Sequence, residues 1–213
     1  MHPSLEYLTE PEVTALLAAP DTTTWIGRRD RTLLLVAIQT GLRNSEITAL
    51  KIKDVELKTG PHVRCLGKGR KTRCTPLRPD VAAILGAWLS QQGGTPESPV
   101  FPSSLGTRMS ADALQRLVIR HVRTACSACP SLVRKKVTPH TLRHTAAMNL
   151  LLSGVDLTVI AMWLGHESML TTQIYLHEDI RLKEQALAHA TSSGLVPDRY
   201  HVQDQLLSFL ENL

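Results

Sequence analysis

A mainly α-helical domain carrying one small antiparallel β-sheet, an α+β fold, is what this sequence predicts. Three observations lead there. Apolar runs of helical length, opened by Thr, Ser or Asp and closed by Gly, recur over most of the chain. Only the stretch from about residue 54 to 77 instead holds short β-branched segments separated by glycine turns. The chain has 213 residues, 43% hydrophobic and 20% charged, which is enough to bury one full core in a domain of ordinary composition.

The elements follow in order. Thr9-Glu-Pro-Glu12 is a capping box, opening a helix with Val13, Leu16 and Leu17 on its inner side. A second helix spans about Asp30 to Thr40 and is stopped by Gly41. Leu33, Leu34, Leu35, Val36 and Ile38 make it apolar nearly all round, so it belongs at the centre of the domain. Arg43 follows directly, with Glu46 three residues on and on the same helical face. A half-buried guanidinium needs an orienting carboxylate, and Glu46 supplies one.

Strands are expected over Asp54–Leu57, His62–Leu66 and Arg73–Leu77, turned by Thr59-Gly60 and Gly67–Arg70. A helix over Asp80–Gln91, a loop over Gly93–Pro99 and a Ser110-capped helix to about Ala125 come next. Pro130–Lys136 reads as a basic loop. Thr138-Pro139 opens a helix that ends at Ser153-Gly154, and another runs from Asp156 to Leu164 with Gly165 as its C-cap. Tyr175 lies on or beside a short helix, and a longer one spans Asp179 to about Ala190.

Residues 1–190 thus form one domain, and 191–213 a linker and tail. Thr191–Pro197 is linker-like in composition, and Gln203–Leu213 carries Leu206, Leu210 and Leu213 on one helical face. A helix of about ten residues is marginal alone in water, so the tail needs a groove. That groove belongs either to its own domain or to a neighbouring protomer.

Net charge is +5 with pI near 9.2, unevenly spread. From Arg43 to Arg78 there are ten Lys/Arg against three acids, and from Arg116 to Arg143 seven against none. These windows flank or contain the phosphate-suited motifs below, which points to a DNA-facing surface rather than a merely solvated one. No apolar run is long enough for a membrane span and no secretory signal opens the chain, so a cytoplasmic protein is expected. Cys126-Ser-Ala-Cys129 has the spacing of half a zinc site, with His121 nearby. Lacking a second pair, it and the hairpin cysteines Cys65 and Cys74 are read as reduced thiols, with no metal site.

The chemistry-bearing residues are Arg43, Lys68, His140, Arg143, His166 and Tyr175. Arginine forks onto two phosphate oxygens, histidine donates a hydrogen bond or proton, and a tyrosine phenol attacks phosphorus. Lys68 stands on the hairpin tip Gly67-Lys68-Gly69-Arg70, where a lysine can serve as proton donor. Arg70, Lys71 and Arg73 crowd the same hairpin, so which base reaches a substrate stays open. His144 matches no catalytic position and is read as structural.

In the stretches GLRNSEI, LGKGRKTRCTPL, TPHTLRHTAA, WLGH and TTQIYLH, the chain resembles the catalytic domain of the tyrosine recombinases, the phage-integrase family that includes the Xer-like resolvases. The resemblance extends from about Leu8 to Leu187. It implies a DNA strand transferase working through a 3′-phosphotyrosyl intermediate, with neither metal nor high-energy cofactor. In that reading Arg43 and Arg143 clamp the phosphate, with Glu46 supporting. His166 and His140 assist, Lys68 protonates the leaving 5′-oxygen and Tyr175 attacks. Double-stranded DNA is the implied partner, with a homo-oligomer, a tetramer on paired sites, as the working form and no membrane association.

Family members of this type usually carry an N-terminal core-binding domain. Only about eight residues precede the first helix, so that domain is expected to be absent here. Two other readings have their own discriminators. A type IB topoisomerase-like relaxase would relax supercoiled DNA lacking any recombination site. A catalytically silent DNA-binding protein on the same fold would have no covalent adduct to lose, and intact Tyr175 with both arginines argues against it.

Overall fold

Glu12 closes the first turn of the first helix by accepting the Thr9 amide at 2.8 Å, and helix α1 runs Glu10–Ala18. A computed structural model describes residues 6–67 and 72–165. The hairpin tip with Lys68 therefore lies outside the described residues. So do His166, Tyr175, the helix expected over Asp179–Ala190, and the linker and tail expected after it.

Helix α2 spans Trp25–Thr40 and starts five residues before the sequence-predicted Asp30. Its cap is Thr24, whose hydroxyl accepts the Gly27 amide at 3.0 Å. The charged Arg29-Asp30 pair resembles a surface boundary in sequence, yet it is buried. Arg29 donates Nε and Nη2 to Asp30 Oδ1 at 2.9 and 2.6 Å and Nη1 to the Pro102 carbonyl at 2.8 Å. His121 Nε2 completes the group at 2.8 Å from Asp30 Oδ2. Paired charges of this kind are tolerated inside a helix that the unpaired residues would have ended. His121 is thereby engaged by Asp30. Among the described residues no cluster of His, Cys, Asp or Glu is arranged to hold a metal.

A short helix α3, Asn44–Ala49, leads through a 3-10 turn at Ile52–Asp54 into the sheet. The strands are β1 (Val55–Glu56), β2 (His62–Leu66) and β3 (Thr72–Pro76), antiparallel in the order 1-2-3. β1 is shorter than expected because Asp54 turns back to accept the Lys51 amide at 3.0 Å. Register pairs Cys65 with Arg73 and Arg64 with Cys74. Alternation then puts Cys65 and Cys74 on opposite faces, one buried and one exposed, both as free thiols.

Helices α4 (Pro79–Gln92) and α5 (Ala111–Ala125) follow, the second capped by Ser110. The expected loop after it contains a 3-10 turn, Pro130–Arg134. Ser131 and Lys135 both donate to the buried Glu12 carboxylate at 2.6 Å, tying this segment to α1. α6 (Pro139–Leu152) and α7 (Leu157–Leu164) complete the described fold.

α2 lies between α4 and α6, while α1 packs on α5 and α7 on α6. Leu33, Leu34 and Val36 of α2 are at most 1% exposed, as its apolar circumference predicted. Each such side chain contributes about 1.5–3 kcal/mol on burial. None of the described helices is long and apolar enough to cross a membrane.

Candidate active site

The site grows from the carboxyl end of α2. Gly41 adopts the left-handed conformation (φ 63°) and donates its amide to Ala37 O, ending the helix. A Cβ there would lie 2.6 Å from Leu164 Cδ2 and 3.1 Å from Ala146 Cβ, so glycine also allows α6 and α7 to close on this corner. Arg43 stands just beyond as the N-cap of α3. Its amide is received by Glu46 Oε2 at 2.7 Å, a capping contact made in addition to the side-chain pairing expected from the Arg43–Glu46 spacing.

Glu46 does more than orient one arginine. Its side chain is 4% exposed and accepts Arg43 Nη1 at 3.0 Å, Arg73 Nη1 at 2.7 Å and Arg73 Nη2 at 2.8 Å. With the Arg43 amide, that fills the roughly four acceptor positions of a carboxylate. Burial alone would raise its pKa. The Arg73 fork, the Arg43 amide and the Arg43 guanidinium outweigh burial and hold it down to about 2.

Arg73 is the residue that sequence reasoning missed. The signal was available: strand alternation from Val63 and Cys65 to Thr75 places Arg73 on the inner face, where an arginine requires a buried partner. From the sequence, Arg73 is only one of several hairpin bases that could reach a substrate.

Arg143 extends from α6 and is buried, at 4% exposure. It donates Nη1 to Gly41 O at 2.6 Å and Nη2 to Leu164 O at 2.7 Å. Both acceptors sit at carboxyl ends of helices, where the macrodipole stabilises a cation. Arg43 Nη2 meets the next carbonyl, Gly165 O, at 2.8 Å, and Arg73 Nε the preceding one, Trp163 O, at 3.2 Å. Three guanidiniums thus hold three successive carbonyls at the end of α7, which Gly165 closes at φ 64°.

His140 lies one helical turn before Arg143, on the start that Thr138 caps by accepting the Thr141 amide. Its ring is edge-on to His144 at 4.2 Å. Crowding on its inner side, then the charges of Arg143 and Arg43, lower its pKa below the ordinary 6.5. The neutral ring is therefore the prevailing form at pH 7.

Arg43, His140 and Arg143 share one open cleft of about 570 Å³. Asn44 and Ser45 of α3, Ala111 and Gln115 of α5, and Thr138 and Pro139 of α6 complete its lining. No acid lines it among the described residues, and the amino ends of α5 and α6 open onto it. Partial positive charge from those ends adds to the two arginines, so the cleft suits a phosphate. Of the sequence-predicted residues, the structure brings together Arg43, Glu46, His140 and Arg143. Lys68, His166 and Tyr175 lie outside the described residues.

The chain is similar to known proteins over most of its length. Residues 6–181 match the model of the phage integrase family. A Sinorhizobium fredii protein carrying the name integrase/recombinase is 50% identical over 209 residues, 98% of this chain and 63% of its own length. The tyrosine recombinase XerD of Pseudomonas aeruginosa is 39% identical over 175 residues, 80% of this chain and 56% of the relative. This chain therefore spans roughly three fifths of the curated relatives it matches.

Among solved structures, XerA recombinase superposes with a TM-score of 0.72 at 32% identity, over 91% of this chain and 66% of that one. The post-cleavage complex of XerH recombinase with a palindromic difH substrate also gives 0.72, at 30% identity, over 86% of this chain and 53% of that one. With the family match running through every helix and strand described above, the chain belongs to the phage integrase family.

Proposed function

We propose that this chain carries the catalytic centre of a site-specific DNA recombinase that cleaves and rejoins strands through a 3′-phosphotyrosine. The observation that carries the reading is the cleft, lined by no acid among the described residues, in which Arg43, Arg143 and His140 converge, in a chain of the phage integrase family. A phosphodiester gains negative charge as it becomes pentacoordinate, so preorganised cations at its non-bridging oxygens lower the barrier. Arg43 and Arg143 take that role. His140, largely neutral, hydrogen-bonds the phosphate or relays a proton, and His166 adds a further donor.

The Tyr175 phenol passes its proton to the neutral His140 ring, and its oxygen attacks phosphorus to form the P–O bond to the 3′-phosphate. The 5′-oxygen departs with a proton from Lys68, leaving a free 5′-hydroxyl. That hydroxyl later attacks the phosphotyrosine of a partner strand and restores Tyr175. The bond energy is retained in the phosphotyrosine, so ATP has no part to play. Residues 1–190 form the catalytic domain in this reading, acting on double-stranded DNA as a homo-oligomer, a tetramer on paired sites, in the cytoplasm. Residues 191–213 serve as linker and tail, docking in cis or on a neighbouring protomer.

The test is covalent capture. The chain is incubated in EDTA with a pool of nicked duplexes of randomised sequence, and protein-linked DNA is recovered after SDS. Wild type is expected to yield an adduct and Tyr175→Phe none. An adduct persisting in Tyr175→Phe, or strict dependence on a divalent metal, overturns the assignment.

A further inference from the structure

We infer that Arg73 is a positioning residue for Arg43, acting through the Glu46 carboxylate that the two arginines share. The inference rests on the recombinase reading of the cleft and goes beyond it, because Arg73 does not line that cleft. β3 turns Arg73 inward opposite Cys65, and its side chain is 13% exposed. Its fork holds both oxygens of Glu46, at 2.7 and 2.8 Å. A carboxylate gripped at two points cannot rotate about its terminal bond. Each oxygen is thus shared, Oε2 between Arg73 Nη2 and the Arg43 amide and Oε1 between Arg73 Nη1 and Arg43 Nη1, so Arg43 meets Glu46 through a single guanidinium nitrogen.

The consequence falls on Arg43. Without the Arg73 fork, Glu46 is free to turn and take Arg43 in a two-point fork of its own, the stronger arrangement for such a pair. That draws the guanidinium away from Gly165 O and out of the cleft, and ties up donors that a phosphate would use. Arg73 prevents this by occupying Glu46 first. The packing is close as well: a Cβ on Gly165 would lie 2.8 Å from Arg73 Nη1. Arg73 thus braces the same residue whose carbonyl receives Arg43 Nη2.

The experiment uses the full chain and nicked duplexes captured by wild type from the random pool. Single-turnover cleavage and DNA affinity are measured for Arg73→Met, Arg73→Lys, Arg43→Ala and the Arg43→Ala/Arg73→Met double variant. Arg73→Met should slow cleavage about 10–100-fold, the range for loss of a group that orients a working residue, with far less change in affinity. Arg73→Lys keeps the charge without the fork and should remain slow. The double variant should cleave no more slowly than Arg43→Ala.

A second readout needs no activity. The NMR titration midpoint of His140 should rise in Arg73→Met in the direction Arg43→Ala moves it, because the Arg43 charge has left its vicinity. If Arg73→Met does not fold, Arg73→Lys takes its place in both measurements. Multiplying rate defects in the double variant, wild-type rates in the single variants, or an unmoved His140 midpoint would overturn the inference. A wild type that captures no DNA counts against the recombinase reading, and the His140 midpoint still decides the role of Arg73.

Discussion

Replacing Glu46 by glutamine keeps its shape and removes its charge, so it isolates what the carboxylate contributes to Arg43 and Arg73. The folded pKa of about 2 lies below the ordinary 4.5. That depression amounts to about 3 kcal/mol of stability. The sign is that of a carboxylate with a depressed pKa: the stabilisation is fully present above 4.5 and is lost as pH falls through the folded value. Glu46→Gln should therefore lower the unfolding free energy by about 3 kcal/mol at pH 7, close to the cost of breaking a buried pair. At pH 3.5 wild type has already given up about 1 kcal/mol of this, so the gap narrows to about 2 kcal/mol. Urea unfolding of both proteins at pH 7 and pH 3.5 measures it. A gap below about 1 kcal/mol at pH 7, or one that does not change with pH, would refute the view that both arginines depend on this charge.

Three further outcomes follow from the same packing. Gly41→Ala combines a left-handed backbone with a Cβ 2.6 Å from Leu164 Cδ2, so thermal unfolding should show a loss of at least about 1–2 kcal/mol. Asp30→Asn leaves Arg29 and a completely buried position without its charge and should cost about 3–5 kcal/mol in urea unfolding, while the His140 midpoint stays put. Burial pushes the Cys65 thiol up to about 11, so iodoacetamide mapping by mass spectrometry should modify exposed Cys74 in the native protein and Cys65 only after unfolding.

What could be read in the sequence was local. Gly41 and Gly165 mark helix ends, Thr138-Pro139 opens α6, and Arg43 and Glu46 are spaced to pair. Each of these depends on residues within one turn of each other. The start of α2 was misplaced because Arg29 and Asp30 look like surface residues until Pro102 and His121 arrive from distant segments to satisfy them. Arg73 was missed for a related reason. Its partners lie 27 and 90 residues away, and no spacing rule links them. The glycines also held a second, hidden role. Their left-handed turns were legible, but the neighbours that forbid a side chain there were not.

The placement of the arginines explains how a cleft of cations persists in the protein by itself. Acids lining the cleft would neutralise its charge and compete with phosphate. Here the compensation is withdrawn behind the surface. Among the described residues, Glu46 is buried beneath Arg43, and uncharged carbonyls also receive the guanidiniums. Trp163 O, Leu164 O and Gly165 O belong to the last turn of α7, whose carbonyls have no partners within the helix and carry the negative end of its dipole. Arg73, Arg143 and Arg43 each take one. Carbonyl dipoles anchor a guanidinium firmly yet add no charge of their own, whereas a carboxylate at the same place would cancel the net charge of the site. The arrangement is also reciprocal, because the arginines fix the end of α7.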